Sequence, residues 1–374
     1  MAVLLRGCSL GGGDDDGAKL PVVGRQVGTM AEDREGGAAT LLRDGRVLVT
    51  GGWWGDLRKA RDSAATTEIY DPATEKWTRA AAMNFPHAYH TATLLADGRV
   101  LVFGGNGTTD VDPAVEVYDP ATDTWRVASA PVHAYRNHST TLLADGRVLF
   151  AGGSGTIVNI WYAPDSGGAQ DVAEIYDPVA DTWSPAGQLT VARLMHGAAR
   201  LPDGRVMIMG GREGGGKYVS ASRKTWIYTA LATTEIYDPA TNAWTPGPTA
   251  PVADGRMVTT LPDGRIVLSG EKLMLLFDPA TWAWRQAGTA RGEVLGGALP
   301  SGMVILPELT DAGFDTGNLV LLNPATGEHR TFGALKEHRG GRFMATTLAD
   351  GRLLYIGGSF IGDGHGAQVI DPPR

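Results

Sequence analysis

The sequence predicts an all-β protein folded as a seven-bladed β-propeller, with four antiparallel strands in each blade. A first element, TATLLADGRVLVFGG in the copy that begins at Thr91, occurs in seven variants along the chain. A second element, EVYDPATDTW in the same copy, follows most of them. A four-strand unit that recurs at spacings of roughly 40–60 residues is the signature of propeller blades.

Each copy predicts its four strands in order. A Thr/Leu-rich first strand beginning at Thr91 leads into an Asp-Gly turn, a strong hairpin signal. The apolar second strand, Val100 to Phe103, stops at a Gly-Gly pair. The third strand, Val115 to Tyr118, runs into Asp-Pro-Ala-Thr, where the proline presets a turn, and the fourth begins at Trp125.

The copies of the two elements define the blades. The first element ends at Gly52, Gly105, Gly153, Gly211, Gly270, Glu308 and Gly358. The second ends at Trp77, Trp125, Trp183 and Trp244, with degraded versions that end at Trp284 and His329. The seventh blade therefore lacks an outer strand of its own.

An N-terminal strand supplies the missing outer strand. Met30 precedes Gly37 by the same seven positions by which Met83 precedes His90. The segment from Gln26 to Met30 thus has the place of an outer strand, and we predict that it closes the ring by pairing into the last blade. Closure removes the open sheet edges that invite aggregation.

With the repeat established, the sequence resembles the kelch-repeat β-propellers of the galactose oxidase/kelch superfamily, of the type found in bacteria. The Gly-Gly pair, a downstream Tyr and a Trp after six intervening residues match the kelch motif, as in Tyr70 to Trp77 and Tyr118 to Trp125. The resemblance covers the chain from about Val22 to Pro372. It implies the fold and leaves the function open.

Composition restricts the partners. The formal net charge is −8 and no basic run occurs, so the chain lacks the Lys/Arg surface on which nucleic-acid binding depends. No window approaches the eighteen or so apolar residues of a membrane span. We predict a single propeller domain over residues 22–374, a monomer by default, after a disordered tail over residues 1–21.

The only cysteine, Cys8, lies in that tail. It excludes a disulfide within the chain and a cysteine zinc cluster. Leu5 to Cys8 loosely resemble a bacterial lipobox, and the following GGGDDDG suits a flexible tether, but the apolar region of a full signal peptide is missing. A cytoplasmic protein and an exported or lipid-anchored one both stay open.

Connection lengths distinguish the two faces of the disc. The face that we call the turn face carries the nearly invariant Asp-Gly-Arg and Asp-Pro-Ala-Thr turns. The opposite loop face carries the strand-two/three and blade-to-blade connections, which vary widely, as after Gly153 and Gly211. Because binding residues concentrate on variable loops of a rigid scaffold, we predict that the loop face binds the ligand.

Three histidines repeat on the loop face. His90, His138 and His196 each precede the Asp of their Asp-Gly-Arg turn by seven residues, so they share one position on three consecutive blades. Converging imidazoles suit a divalent metal such as Zn, Cu, Fe or Ni, or acid–base catalysis. The alternative is a structural histidine hydrogen-bonded between blades, which the kelch resemblance also implies.

Cationic and aromatic residues accompany the histidines. They suit an anionic or sugar-like ligand, through bidentate Arg contacts and stacking, although an ordinary polar rim is the alternative. Near the histidines these candidates are His87, Tyr89, His133, Tyr135, Arg136, Asn137, Arg193, Arg256 and Arg342. Aromatic candidates in the loops, where repeat packing does not account for them, are Trp53, Trp54, Trp161, Tyr162, Tyr218, Trp226, Tyr228 and Phe360.

Charged residues that depart from the repeat form a third set. Arg212 and Glu213 follow a Gly-Gly pair, and Glu213 beside an Arg suits acid–base work. By contrast, Glu68, Glu116, Glu174 and Glu235 recur two residues before the Tyr of each Tyr-Asp-Pro and are predicted to be structural.

Two functions from different classes remain. The leading hypothesis is a binding module whose loop face holds a small polar or carbohydrate-like ligand, or a protein partner. The alternative is an enzyme using the histidine cluster, with a metal or in acid–base sugar isomerase or lyase chemistry. Galactose-oxidase-like enzymes use a Tyr–Cys copper-radical cofactor, and the propeller here has no cysteine for one. A bound metal or abnormally titrating histidines favour the enzyme, and histidines bonded to neighbouring blades favour the module.

Overall fold

The computed structural model describes residues 20–32, 34–54, 62–105, 114–133, 136–154, 168–220, 223–253, 255–270, 273–288, 294–309, 315–336, 343–357 and 366–373. These residues form strands, turns and connections, and no helix occurs among them. Accordingly, no described helix is long and apolar enough to cross a membrane.

The first four blades follow an N-terminal strand, β1 (Gly24–Thr29). The strands of blade 1 and its loop hairpin are β2 (Ala38–Leu41), β3 (Val47–Thr50), β4 (Trp53–Trp54), β5 (Asp62–Ser63), β6 (Thr67–Asp71) and β7 (Lys76–Ala80). Those of blade 2 are β8 (Thr91–Leu94), β9 (Val100–Phe103), β10 (Val115–Asp119) and β11 (Thr124–Val127). Those of blade 3 are β12 (Ser139–Leu142), β13 (Val148–Ala151), β14 (Val172–Asp177) and β15 (Thr182–Gln188). Blade 4 and its loop hairpin comprise β16 (Gly197–Arg200), β17 (Val206–Met209), β18 (Arg212–Ser220), β19 (Arg223–Ala230), β20 (Thr234–Asp238) and β21 (Ala243–Pro246).

Three further blades complete the ring. Blade 5 comprises β22 (Gly255–Thr260), β23 (Ile266–Gly270), β24 (Met274–Asp278) and β25 (Ala283–Gln286). Blade 6 comprises β26 (Val304–Leu309), β27 (Asp315–Leu322) and β28 (His329–Ala334), and blade 7 comprises β29 (Phe343–Thr347), β30 (Leu353–Gly357) and β31 (Gly366–Ile370). The seven-bladed all-β prediction is confirmed.

The sixth blade is the most degraded, as its sequence indicated. Its described sheet has three strands, and its innermost strand is reduced to a single bridge between Ala298 and Val304. In place of a longer ladder, Thr347 of blade 7 donates its backbone N–H to Gly296 O at 3.0 Å. The innermost layer is thus continued by a contact between blades.

Blade 2 illustrates how the sequence produces the sheet. Phe103 at the end of β9 pairs with Thr91 on one side and with Val115 on the other, and Tyr118 pairs with Trp125. All four residues of β9 are buried, because both faces of a middle strand pack against neighbouring blades. An apolar run without alternation is therefore the correct pattern for this strand.

The hydrophobic core lies between blades. Between blades 2 and 3, Phe103 meets Phe150 edge to face at 5.2 Å between ring centroids, and Trp183 lies over Phe150 at 4.8 Å. Both phenylalanines are completely buried. Burial of each such ring stabilises the fold by about 1.5–3 kcal/mol, and corresponding clusters recur around the ring.

The N-terminal strand closes the ring as predicted. The last sheet has the order β1-β31-β30-β29, with Arg25 opposite Val369 and Gln26 opposite Gln368. Pro21, which the sequence assigned to the tail, accepts a hydrogen bond from the backbone N–H of Ala334 at 2.9 Å. Residues 1–19, including Cys8, lie outside the described residues, so the disordered tail stays a prediction.

The repeated Trp residues join consecutive blades. Each indole N–H donates to a backbone carbonyl on the outer strand of the preceding blade or just after it, at 2.7–3.0 Å. The donors Trp77, Trp125, Trp183, Trp244 and Trp284 bond to Val27, Ala81, Ser129, Ala186 and Pro248 respectively. Val27 of β1 has the same place as the outer-strand acceptors of the other blades.

The Gly-Gly pairs are required by contacts between blades. Gly51 has φ +55, and a Cβ there would lie 2.2 Å from the carbonyl oxygen of His87 in the next blade. Gly52 donates its N–H to that same oxygen at 2.8 Å. The same close approach recurs at Gly152, where a Cβ would lie 2.5 Å from Arg193 O. No other residue type fits these positions without displacing backbone.

Candidate functional site

The loop face is built on the connections that lead into each innermost strand. We call each of these an incoming segment. Backbone bridges tie the incoming segment to the residue after the Gly-Gly pair of the same blade, at Glu35–Trp53, Arg136–Ser154 and Leu194–Arg212. The side chains of these residues are therefore held on rigid backbone.

In blades 1 to 4, the residue two positions before the innermost strand adopts the left-handed backbone conformation. φ is +68 at Gly36, +55 at Tyr89, +52 at Asn137 and +52 at Met195. Tyr89 donates its N–H to Gly36 O at 2.6 Å, and Met195 donates to Asn137 O at 2.8 Å. We call this row of residues the left-handed arc, and left-handed non-glycine residues of this kind tend to occur at functional sites.

The three histidines bond backwards to the preceding blade. His90 Nε2 shares a hydrogen bond with Thr50 Oγ1 at 2.8 Å. His138 Nε2 shares one with Thr91 Oγ1 at 3.2 Å, and His196 Nε2 with Ser139 Oγ at 2.9 Å. All three are at least nine-tenths buried. The histidines thus have the structural role that the sequence analysis gave as the alternative, hydrogen bonding between blades.

Burial determines the charge of these histidines. Burial lowers the pKa of His138 to about 3, and burial together with the charges of Arg193 and His138 lowers the pKa of His196 to about 3. The pKa of His90 lies well below its usual value, mainly because the side chain is buried and also because His87 and Arg34 disfavour a positive charge there. The titration is abnormal, as an enzyme would show, but the cause is burial, and a general acid or base at neutral pH needs a pKa near 7. These imidazoles are neutral linkers between blades.

Metal ligation is not supported at these positions. In the part of the chain that the structure describes, no three His, Cys, Asp or Glu side chains are placed to hold a metal ion. Each histidine is instead hydrogen-bonded to a different hydroxyl group, on a different blade. The absence of a Tyr–Cys copper cofactor stays a prediction from the sequence, because the only cysteine, Cys8, lies outside the described residues.

The recurring Glu of the third strand holds the incoming segment. Glu116 accepts the backbone N–H groups of Asn84 at 2.7 Å and Phe85 at 2.9 Å. Glu235 accepts those of Thr190 at 2.6 Å and Val191 at 3.1 Å. These carboxylates are buried and structural, as predicted.

Arg193 belongs to this structural network. Its side chain is completely buried and donates to Glu235 at 2.9 Å, Gly210 O at 3.0 Å and Thr233 O at 3.0 Å. The sequence prediction that Arg193 binds an anion at the channel mouth therefore has no geometric support, because the guanidinium faces the interior of its own blade. His133 likewise pairs with the recurring carboxylate, Glu174, at 3.2 Å.

Two candidates, Trp53 and Tyr89, form a half-buried cluster with Glu35 on blades 1 and 2, which we call the aromatic corner. The rings of Trp53 and Tyr89 meet at 5.0 Å with an interplanar angle of 84°. Tyr89 Oη donates to Glu35 Oε1 at 3.3 Å. Glu35 and Trp53 exchange two backbone hydrogen bonds, at 3.0 and 2.8 Å. A Cβ on Gly36 would lie 2.5 Å from the Tyr89 ring, so glycine makes room for the ring.

The remaining described candidates lie on other blades. Arg136 and Arg212 are half-buried and occupy the backbone bridges named above. Glu213 pairs with Thr229 at the base of the β18–β19 hairpin, and Asn137 belongs to the left-handed arc. These residues belong to blades 3 and 4, whereas the aromatic corner lies on blades 1 and 2.

Other candidates lie wholly or partly outside the described residues. Five candidates lie entirely outside the described residues: Tyr135, Trp161, Tyr162, Arg342 and Phe360. Trp54, Tyr218, Trp226 and Arg256 have described backbone in β4, β18, β19 and β22, but their side chains are outside it. Their ligand-binding roles stay predictions.

Sequence reasoning missed two features. Glu35 carried a signal, because it stands two residues before the first-blade equivalent of the repeated histidine, but it was not singled out. Two clefts of about 380 and 370 Å³ lie on the turn face, between the Asp-Gly-Arg turns of blades 1 and 2 and of blades 2 and 3. Each turn arginine there is paired with the aspartate of its own turn, as Arg147 is with Asp145 at 2.7 Å. These charges are already satisfied.

Comparison with known proteins agrees with this architecture. The kelch motif matches residues 36–84, 87–131 and 195–251. These matches, together with the indole bonds between blades, identify the chain as a seven-bladed β-propeller that contains kelch motifs. No curated protein matches its sequence.

A solved structure shares the fold at low identity. It is a novel fungal alcohol oxidase with catalytic diversity among the AA5 family, in complex with copper. The two chains are 18% identical with a TM-score of 0.65, over 94% of this chain and 77% of the oxidase. At that identity the likeness extends to the fold and not to the activity.

Proposed function

We propose that this protein is a kelch-repeat binding module that holds a small polar, carbohydrate-like ligand on the loop face at the aromatic corner. The observation that carries the proposal is the perpendicular contact of Trp53 with Tyr89 beside the Glu35 carboxylate. The three groups are half-exposed, in contrast to the buried histidines.

The chemistry of the corner suits a hydroxylated ring. An exposed aromatic face packs against the apolar face of a sugar, and perpendicular rings limit the orientation of the ligand. A carboxylate accepts hydrogen bonds from hydroxyl groups, and these charge-assisted bonds are stronger than neutral ones.

Rigidity also supports a binding role. Glu35 and Trp53 are fixed by their paired backbone bonds, and Tyr89 is fixed through its N–H bond to Gly36. A site that is already organised loses less conformational entropy when a ligand binds. The three repeated histidines, which were the main candidates for acid–base chemistry, bond to the preceding blade instead, which favours binding over catalysis.

The test is isothermal titration of the purified protein with a panel of neutral and anionic oligosaccharides. For a ligand that binds, we expect Trp53→Ala to weaken affinity by roughly 10–100-fold, the range of an aromatic anchor at an interface. Glu35→Gln should weaken it less. Phe85→Ala is the matched control, because Phe85 is a 40%-exposed aromatic that belongs to the same incoming segment as Tyr89 but not to the corner.

Two results would contradict the proposal. One is that no oligosaccharide binds while a protein or peptide partner does, with affinity that survives Trp53→Ala. The other is that a bound sugar is unaffected by both corner variants, which would place its site elsewhere on the propeller.

A further inference from the structure

His87 occupies a position that is filled by arginine in two other blades. Arg34, His87 and Arg193 stand three residues before Gly37, His90 and His196, the equivalent first positions of three innermost strands. All three side chains are buried, at 3%, 3% and 0% relative exposure. The same site in the repeat thus holds a basic side chain in each of these blades.

The contacts of the two arginines are the same. Arg34 donates from Nη1 to Gly51 O at 2.8 Å and from Nη2 to Glu68 Oε1 at 3.1 Å. Arg193 donates from Nη1 to Gly210 O at 3.0 Å and from Nη2 to Glu235 Oε1 at 2.9 Å. Each arginine therefore joins the first glycine of the Gly-Gly pair to the recurring carboxylate.

His87 connects the corresponding two groups in blade 2. Its Nδ1 lies 2.9 Å from Gly104 O, and its Nε2 lies 3.4 Å from Glu116 Oε1. Gly104 is the first glycine of its pair, and Glu116 is the recurring carboxylate. A single imidazole thus lies between the two acceptors that a guanidinium joins elsewhere, hydrogen-bonded to Gly104 and at ion-pair distance from Glu116.

Both of these partners are acceptors without a proton of their own. A neutral imidazole has one N–H and one lone pair, so either tautomer places a lone pair against an oxygen. Only the imidazolium, with both nitrogens protonated, can donate to the Gly104 carbonyl and to the Glu116 carboxylate together. An arginine meets this requirement at every physiological pH, whereas a histidine meets it only while it carries the extra proton.

We propose that His87 acts as a protonated substitute for the arginine of blades 1 and 4, and that loss of its proton loosens the incoming segment of blade 2. The same Glu116 carboxylate accepts the backbone N–H groups of Asn84 and Phe85. The segment leads directly to Tyr89, so proton loss at His87 also reaches the aromatic corner.

Glu116 on β10 and His90 on the same segment are titratable groups in contact with His87. His90 lies 5.6 Å away between ring centroids, and burial, together with the nearby His87 and Arg34 of blade 1, holds the pKa of His90 well below its usual value. Burial alone would raise the pKa of Glu116, but His87 and the N–H groups of Asn84 and Phe85 outweigh burial and hold this pKa below its usual value. The carboxylate therefore stays charged beside His87.

Blade 3 does not repeat this arrangement in the described residues. The residue three positions before His138 is Tyr135, which lies outside the described residues. Glu174 is approached instead by His133, at 3.2 Å and from two positions earlier, with 43% of the histidine side chain exposed, so water screens this pair. The pH response is accordingly expected in the incoming segment of blade 2.

The experiment measures amide hydrogen exchange at single residues of the full chain, corrected for intrinsic exchange rates. It is carried out at about pH 5.5 and at about pH 8.5, which lie on either side of the usual pKa range of histidine side chains. We expect protection at Asn84 and Phe85 to fall by roughly tenfold or more at the higher pH, the loss expected when bonds to a charged group weaken. Thr190 and Val191 are the internal control, because Arg193 and Glu235 hold them in blade 4.

Two variants sharpen the measurement. His87→Arg should keep Asn84 and Phe85 protected at both pH values, and His87→Gln should leave them weakly protected at both. Should His87→Arg fail to fold, nitrogen NMR of the His87 ring in the unmodified protein gives a separate readout, since both ring nitrogens should be protonated below neutral pH. None of these readouts uses a ligand, so they stand apart from the proposed carbohydrate site.

Three outcomes would overturn the proposal. They are a His87 ring that stays neutral at about pH 5.5, protection at Asn84 and Phe85 that does not change with pH, and a loss of equal size at Thr190 and Val191.

Discussion

Trp77 donates its indole N–H to the carbonyl of Val27 at 3.0 Å, and this bond joins the first blade to the last. Val27 belongs to β1, which is hydrogen-bonded into the sheet of blade 7. Arg25 of the same strand forms a bidentate ion pair with Glu75, the residue two positions before Trp77. The closing strand is thus held by its sheet on one side and by blade 1 on the other.

Removing the closing strand should open the ring. Deleting residues 1–30 exposes the edge of β31 and leaves Trp77 without its acceptor, so we expect a lower Tm and a broader, less cooperative transition by calorimetry. Deleting residues 1–19 is the control and should leave the transition unchanged. A sharp, unshifted transition in the longer deletion would mean that β1 adds nothing to closure.

Replacing a Gly-Gly glycine should destabilise the fold far more than replacing a turn glycine. Gly51→Ala places a Cβ 2.2 Å from His87 O, so backbone must move and we expect a loss of about 2–4 kcal/mol by urea denaturation. Gly45→Ala is the matched control, because Gly45 also has positive φ, +87, but nothing within 4 Å of the added Cβ. It should lose only about 1 kcal/mol. Similar losses in both variants would indicate that backbone strain alone, and not the contact between blades, requires the Gly-Gly pair.

Acid should destabilise the protein through the buried histidines. The folded-state pKa of His138 is about 3, whereas an unfolded histidine has a pKa of about 6.5, so the unfolded chain binds more protons between these values. Stability should therefore fall as the pH drops below about 6.5. His138→Gln should show a shallower fall in Tm between about pH 7 and about pH 4.5 than the unmodified protein.

The exposed His329 provides the control for this pH series, and His329→Gln should follow the unmodified protein. If His138→Gln instead lost Tm as steeply on acidification as the unmodified protein, His138 would not be a buried neutral group.

Breaking a buried ion pair should cost much more than breaking an exposed one. Arg193→Met leaves the Glu235 carboxylate buried without its cation, and we expect a loss of about 3–5 kcal/mol in the free energy of unfolding. Arg46→Met removes the partner of Asp44, whose side chain is 48% exposed, and should lose at most about 1 kcal/mol. Equal, small losses would show that Glu235 finds other partners.

The sequence predicted the fold almost completely because the repeat encodes it locally. The Asp-Gly turns, the apolar runs and the Gly-Gly pairs recur at each blade, and the register between Tyr118 and Trp125 is fixed by the turn that joins them. The closure by β1 was also predictable, since the outer strand missing from blade 7 had only one counterpart, before Ala31. The reduced inner strand of blade 6 followed from its degraded copy.

The site was harder to predict because it depends on where side chains point between blades. The position of His138 in the repeat was clear, but its bond to Thr91 on the preceding blade was only one of two possibilities. Arg193 was assigned to the mouth because it neighbours His196, whereas its partner Glu235 lies far along the chain and is buried beside it. The recurrence of a basic residue three positions before the innermost strand, together with the recurring glutamate, was the signal that could have identified this network.

The position of β1 also sets the order in which the protein can assemble. Its partner β31 follows the other described strands in the chain, so β1 stays unpaired while the described blades between them are synthesised. Domains generally fold from the N-terminus during synthesis, and unpaired strand edges at that stage are prone to aggregation. β1 has only six residues, and the exposed Arg25 and Gln26 within it make this unpaired edge polar. The docking of β1 onto β31 then closes the ring by joining residues that are more than 300 positions apart in the sequence.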